Sequence, residues 1–210
     1  MKLRILGCSG GIGGESLRTT SLLVDDDVLI DAGTGVGDLP IEELARIDHL
    51  FLTHTHLDHI ACLPLMIDSV ADRRSRPLTV YGAPAVLDIL RKHVFNWLVW
   101  PDFAEVPSAD NPFMRYQPIE LLKPVTLGGR SFTPLPVDHT VPAVGYRLDS
   151  GAGSLVFSGD TGPCDAFWQA VNRIDNLRHV IIECAFPDRE APLAVLSKHL
   201  CPSMLASELR

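Results

Sequence analysis

Four side chains of the kind that bind metal ions stand within six residues of this sequence: His54-Thr55-His56-Leu57-Asp58-His59. They follow His49 to Thr53, an apolar run that reads as a buried strand. In extended backbone, residues i and i+2 point to the same side, so the imidazoles of His54 and His56 can reach one ion. Asp58 and His59 come where the chain turns into a helix and point elsewhere, which suits a second, adjacent ion. A mixture of imidazole and carboxylate ligands favours zinc, with iron and manganese as alternatives.

Such a cage needs ligands from elsewhere in the chain. His139, in Pro136-Val137-Asp138-His139-Thr140, follows a predicted strand. So does Asp160, in Ser158-Gly159-Asp160-Thr161, and an aspartate there can bridge two ions with its two oxygens. Asp31 closes Leu29-Ile30-Asp31 and is placed to hydrogen-bond a ligand histidine. His199 lies just before a last helix. His49, His93 and His179 fall in or beside apolar segments and read as structural.

The elements that must position these residues alternate between strand and helix. Strands are predicted over 2–6, 21–24, 28–30, 49–53, 78–81, 130–136, 144–148, 155–158 and 179–182. Helices are predicted over 40–46, 59–70, 84–94, 165–172 and 202–208. The order gives an α/β chain of one domain, residues 1–210. Residues 95–118 differ in composition, with Phe95, Trp97, Trp100, Phe103, Phe113 and Tyr116 among prolines, and read as an insertion or cap. The glycine-rich turn Cys8 to Gly14 misses the dinucleotide pattern G-x-G-x-x-G, because Ser16 stands where the third glycine belongs.

Composition removes several classes. The chain has 210 residues, 46% of them hydrophobic and 21% charged, which supports a packed core. A net charge of −8 opposes unaided binding to phosphate backbones, so nucleic acid is not an expected partner. It also opposes a basic membrane-surface role, and no apolar run has the length of a membrane helix. The five cysteines are widely spaced, without a C-x-x-C pair, and read as free thiols in a reducing compartment, the cytoplasm.

Taken in order, Leu29-Ile30-Asp31-Ala32-Gly33, His54-x-His56-x-Asp58-His59, a downstream His139 and Ser158-Gly159-Asp160-Thr161 resemble the metallo-β-lactamase fold superfamily. Val144-Gly145-Tyr146-Arg147-Leu148, Ile182-Glu183-Cys184-Ala185-Phe186-Pro187 and Ser197-Lys198-His199-Leu200-Cys201-Pro202 resemble its class II 3′,5′-cyclic-nucleotide phosphodiesterases. The resemblance implies a four-layer αββα sandwich. It implies His54, His56, His139 and Asp160 on one ion, with Asp58, His59 and Asp160 on the other. It implies hydrolysis of a small phosphodiester, cAMP or cGMP, by a metal-bridging hydroxide that Asp58 orients, while His199 assists the phosphate chemistry. Trp97, Trp100 or Phe103 would stack the purine; core packing or a homodimer contact is their other use. Related enzymes take a further ligand from a late Thr-His-x-x-Pro strand, which this sequence lacks. The expectation is a fold without the last strand–helix unit, in which His199 serves the second ion directly or the chain is a catalytically weak scaffold. The same fold also carries tRNA 3′-processing endonucleases, lactonases and thioesterases.

Overall fold

A computed structural model describes residues 1–210, and they divide into two compact units, 1–118 and 119–210. The first is built on a six-stranded sheet of order β1-β2-β3-β4-β5-β8. Its strands are β1 (Leu3–Gly7), β2 (Ser21–Val24), β3 (Val28–Ile30), β4 (His49–Phe51), β5 (Leu78–Gly82) and β8 (Met114–Pro118). A small hairpin of β6 (Pro107–Ser108) and β7 (Asn111–Pro112) precedes β8. β1, β2 and β3 are antiparallel; β3, β4, β5 and β8 run parallel. The interior strands are short, mostly apolar runs buried on both faces, which suits a sheet covered on both sides: all of β2 and β3, and Leu50 and Phe51 of β4.

The helices of this unit are α1 (Ile41–Leu44), α2 (Leu57–Ile60), α3 (Leu63–Val70) and α4 (Pro84–His93). α3 buries Leu63, Met66, Ile67 and Val70, the i, i+3, i+4, i+7 stripe of an amphipathic helix. α4 begins on Pro84, buries Val86, Leu87 and Leu90, and ends in Arg91, Lys92 and His93, whose charge suits a helix C-terminus. These stripes join Leu50, Leu52 and Val80 in one core. Fully burying such a side chain contributes on the order of 1.5–3 kcal/mol.

Two departures from the sequence pattern bear on the site. The predicted helix over 59–70 is broken between α2 and α3. Pro64, in the first turn of α3, has no N–H to donate to an earlier turn. The Cys62 amide instead donates to the carbonyl of Ala32 (2.9 Å), and the Ala32 amide donates to that of His59 (2.7 Å). The break thus ties the start of the helix to the end of β3. Second, β4 stops at Phe51, because the Thr53 amide donates to the Asp31 carboxylate and leaves the ladder. The stretch 95–118 also divides, since its last part is β8, paired in parallel with β5. Phe103 lies in the core at 5% exposure, with Trp100 and Phe113 packed against it.

The second unit has a five-stranded sheet of order β13-β12-β11-β10-β9. The strands are β9 (Val125–Leu127), β10 (Arg130–Pro136), β11 (Val144–Asp149), β12 (Ser154–Phe157) and β13 (Leu177–Ile181). All pair antiparallel except β12 with β13. Pro134 and Pro136 are tolerated in β10 because β9 pairs only with residues 130–132, leaving the prolines beyond its end. α5 (Asp165–Val171) packs Phe167 and Val171 on Leu135 and Val156. α6 (Ala191–Ser197) and α7 (Pro202–Glu208) follow. No helix is long and apolar enough to cross a membrane.

Gly33 shows how closely the first unit is packed where β3 ends. A Cβ there would stand 2.4 Å from the Asp58 carbonyl oxygen and 2.5 Å from the Thr19 hydroxyl and the Thr20 carbonyl. Two of these are backbone atoms that cannot swing away. Gly33→Ala is therefore expected to lower stability in urea denaturation by about 1–3 kcal/mol. Gly37→Ala, whose Cβ would meet only the Cys62 sulfur at 4.0 Å, should change it little.

Candidate metal centre

The ligand-type side chains form two groups, one in each unit. In the first unit they sit just beyond the ends of the parallel strands β3 and β4. Asp31 is wholly buried and takes a left-handed backbone, φ 58°, which turns its carboxylate across to the segment after β4. Oδ1 accepts the Thr53 amide at 2.8 Å. Oδ2 accepts the Thr53 hydroxyl at 2.8 Å and His59 Nδ1–H at 2.7 Å. Burial pushes the Asp31 carboxyl above its ordinary range, and the attraction of the nearby His59 N–H and the Thr53 donors opposes that rise.

Because the Thr53 hydroxyl donates its one proton to Asp31, it accepts from His54, whose Nδ1 lies 3.0 Å away. Both buried imidazoles thus carry their proton on Nδ1, which makes Nε2 the atom able to bind an ion. The His54 ring centroid lies 4.7 Å from that of His56 and 4.1 Å from that of His59. His59 Nε2 is 3.6 Å from Asp58 Oδ2. Two ligands each about 2.0–2.2 Å from one zinc ion would stand a similar distance apart.

The second unit holds His139, Asp160 and His199. His139 Nδ1–H donates to the Lys198 carbonyl at 3.1 Å, which fixes the same tautomer as in His54 and His59. Lys198 is itself left-handed, φ 53°, where it caps α6, and its ammonium meets Asp138 at 2.7 Å. Asp160, Glu183 and His199 offer donor atoms within 4.8 Å of one another. His199 Nδ1–H donates to Glu183 Oε1 at 2.7 Å, and the His199 ring lies edge-on to that of His139 at 5.0 Å. Glu183 also accepts the amides of Thr161 (3.0 Å), Ala185 (3.0 Å) and Leu200 (3.2 Å).

The donor set therefore fits divalent ions. It combines imidazoles whose Nδ1 atoms are tied to oxygen, leaving Nε2 as the ligand atom, with carboxylates beside them. Each candidate named from the sequence belongs to one of the two groups except the aromatic residues. Phe103 is core, which is the packing use read for these rings and removes it as a purine-stacking residue. Trp100 packs on that core, and Trp97 is 58% exposed. Of the histidines set aside as structural, His49 leans on Tyr81 with 5.8 Å between ring centroids, and His93 and His179 are exposed.

Sequence reasoning gave no role to Thr53, Glu183 or Lys198. Glu183 carried a signal: it closes the apolar run Val180-Ile181-Ile182, as Asp31 closes its own strand. Lys198 acts through its carbonyl, which no side-chain pattern reveals.

Residues 26–204 match the model of the Beta-lactamase superfamily domain, and the chain belongs to that family. Membership implies the use of divalent metal. A 3′,5′-cyclic-nucleotide phosphodiesterase of Schizosaccharomyces pombe is 31% identical over 185 residues, 78% of this chain and 51% of that protein. The chain thus spans about half the length of that relative. The crystal structure of unliganded yeast PDE1 superposes with a TM-score of 0.78 at 20% identity, covering 99% of this chain and 81% of that one. The metallo-β-lactamase fold protein YhfI of Bacillus subtilis gives 0.76 at 21% identity, covering 99% and 80%.

Asp31→Asn replaces an acceptor shared by a hydroxyl and an imidazole with an amide, and disturbs the tautomer of His59. Divalent-ion affinity, measured by chelator competition, should fall about 10–100-fold. Glu183→Ala leaves three backbone amides without their acceptor and should lower stability by roughly 1–3 kcal/mol in the same denaturation assay.

Proposed function

We infer that the protein is a metal-dependent phosphodiesterase that hydrolyses 3′,5′-cyclic nucleotides. Two divalent ions, zinc above all, would be held by His54, His56, His139 and Asp160 on one side and by Asp58, His59 and Asp160 on the other. The observation that carries the reading is the Glu183–His199 pair beside Asp160. Ligands alone suit any hydrolase of this fold, since fold does not fix substrate. An imidazole held by a carboxylate next to a ligand aspartate adds a proton carrier, which an alkoxide leaving group requires. The phosphodiesterase names among the curated relatives support the same substrate class.

When bound, the ions would lower the pKa of a water molecule and offset charge on the phosphoryl oxygens. Asp58, 30% exposed and next in sequence to a ligand, orients the attacking water. That water, having released a proton to solvent at its lowered pKa, forms as hydroxide a new bond to phosphorus while the bond from phosphorus to the 3′-oxygen breaks. His199, its Nδ1–H held by Glu183, delivers a proton from Nε2 to the departing 3′-oxygen. The product is a nucleoside 5′-monophosphate. Glu183 keeps the ring in this tautomer and holds it in place for the transfer.

Metal analysis together with a substrate panel tests the reading. The panel holds cAMP, cGMP, 2′,3′-cyclic nucleotides, a lactone, S-lactoylglutathione and a precursor tRNA. Two equivalents of metal with turnover of the 3′,5′-cyclic nucleotides is the expected result. Turnover confined to the lactone, the thioester or the tRNA would sink it, as would one equivalent of metal with no turnover. His199→Gln should lower kcat by about 10²–10⁴-fold while metal content is retained.

A further inference from the structure

The first unit carries a second charged concavity, at the opposite end of its sheet. Asp27 and Asp48 immediately precede β3 and β4, whereas Asp31 and Thr53 follow them, and the two strands run parallel. The concavity measures about 310 Å³ and is walled by four arginines, Arg46, Arg73, Arg74 and Arg76. In a chain of net charge −8, this is a local reversal of sign.

The arginines are only partly matched by the carboxylates on the same wall, Asp26, Asp27 and Asp48. Asp48 commits both oxygens, one to Arg74 (2.8 Å) and one to Arg76 (3.3 Å). Arg46 meets the exposed Asp26 only at 3.9 Å. Arg73 engages none of the three, and its side chain makes no other polar contact. Arg74 is the best fixed of the four. Its side chain is 3% exposed, and its terminal nitrogens donate to the carbonyls of Ala45 (2.9 Å) and Ile47 (2.6 Å) as well as to Asp48. Its buried Nε–H has no acceptor within the protein. A guanidinium locked in this way keeps its nitrogens on protein acceptors and contributes its positive charge beneath the hollow, with no side chain left to order when an anion binds.

We propose that this concavity binds a phosphomonoester dianion, recognised by Arg73, Arg76 and Arg46 at the rim over the fixed guanidinium of Arg74. Planar guanidinium forks match phosphate oxygens in pairs, and three of them around one hollow favour a doubly charged oxyanion over a single carboxylate. The volume lies at the small end of ligand pockets and suits a phosphate group with little attached. The site does not depend on the reading of the metal centre, from which it is separated by the length of the sheet.

Hydrogen–deuterium exchange on the metal-loaded protein tests the proposal, because it reports where an added anion binds. Inorganic phosphate, 5′-AMP, adenosine and succinate are compared at constant ionic strength. Phosphate and 5′-AMP should each slow exchange saturably, about threefold or more, in peptides covering 45–48 and 71–77, while adenosine does not. A lower half-saturation for 5′-AMP would identify a nucleotide as the source of the phosphate group; equal values would identify the free ion. Both results support the site. The double variant Arg73→Gln, Arg76→Gln should raise the half-saturation at least about tenfold, while Arg91→Gln, outside the concavity, should leave it unchanged. Protection confined to residues 53–59 and 158–162 would overturn the proposal, since the phosphate would then be at the metal centre alone. So would no protection, equal protection by succinate, or an undiminished response in the double variant.

Discussion

The carboxylate of Asp31 is the constraint on which the first half of the site rests. It is fully buried, yet it receives an amide, a hydroxyl and an imidazole N–H. Those three donors end β4, orient Thr53 and set the tautomers of His54 and His59. A buried carboxylate without such partners would cost several kcal/mol and would not stay ionised. The same group is thus a structural clamp between two parallel strands and the source of the ligand geometry. This is why the neighbouring backbone is so closely packed, with Gly33 beneath the Asp58 carbonyl and Cys62 returning its amide to Ala32.

The second unit reaches a comparable result by a different route. Glu183 gathers three backbone amides and the His199 ring, and the carbonyl of a left-handed Lys198 holds His139. In both units a side chain at a strand end converts an irregular loop into a fixed set of donors. The strain of a non-glycine residue at positive φ occurs at Asp31 and again at Lys198, where the backbone must turn sharply to bring a group to bear on a histidine of the candidate site.

Much of this was legible in the sequence, and the parts that were not have physical reasons. The segment from His54 to His59 could be read because ligand spacing and strand alternation are local properties. Strand ends marked Asp31 and Asp160 in the same way. The break between α2 and α3 was missed because hydrophobic periodicity runs through it; only the pairing of Cys62 with Ala32 shows why the helix stops. Helix α6 was missed because Leu193, Val195 and Leu196 are exposed, so it shows no apolar stripe toward a core. Phe103 and Trp97 look alike in sequence, yet one is core and the other surface, a difference that packing alone decides.

The two groups of donors also differ in how far along the chain their parts lie. Asp31 and His59 are 28 residues apart, and the hydrogen bonds that join Asp31, Thr53, His54 and His59 all fall within that span. His139 waits for the carbonyl of Lys198, 59 residues later, and Glu183 waits for His199 and Leu200. During synthesis, which proceeds from the N-terminus, the first group has all its parts while more than half of these residues are still to be added. The second is assembled only after residue 200 has left the ribosome. A nascent chain therefore holds the residues of the first group of donors long before it holds those that fix His139 and His199, and the two halves of the candidate site come into being at different moments of synthesis.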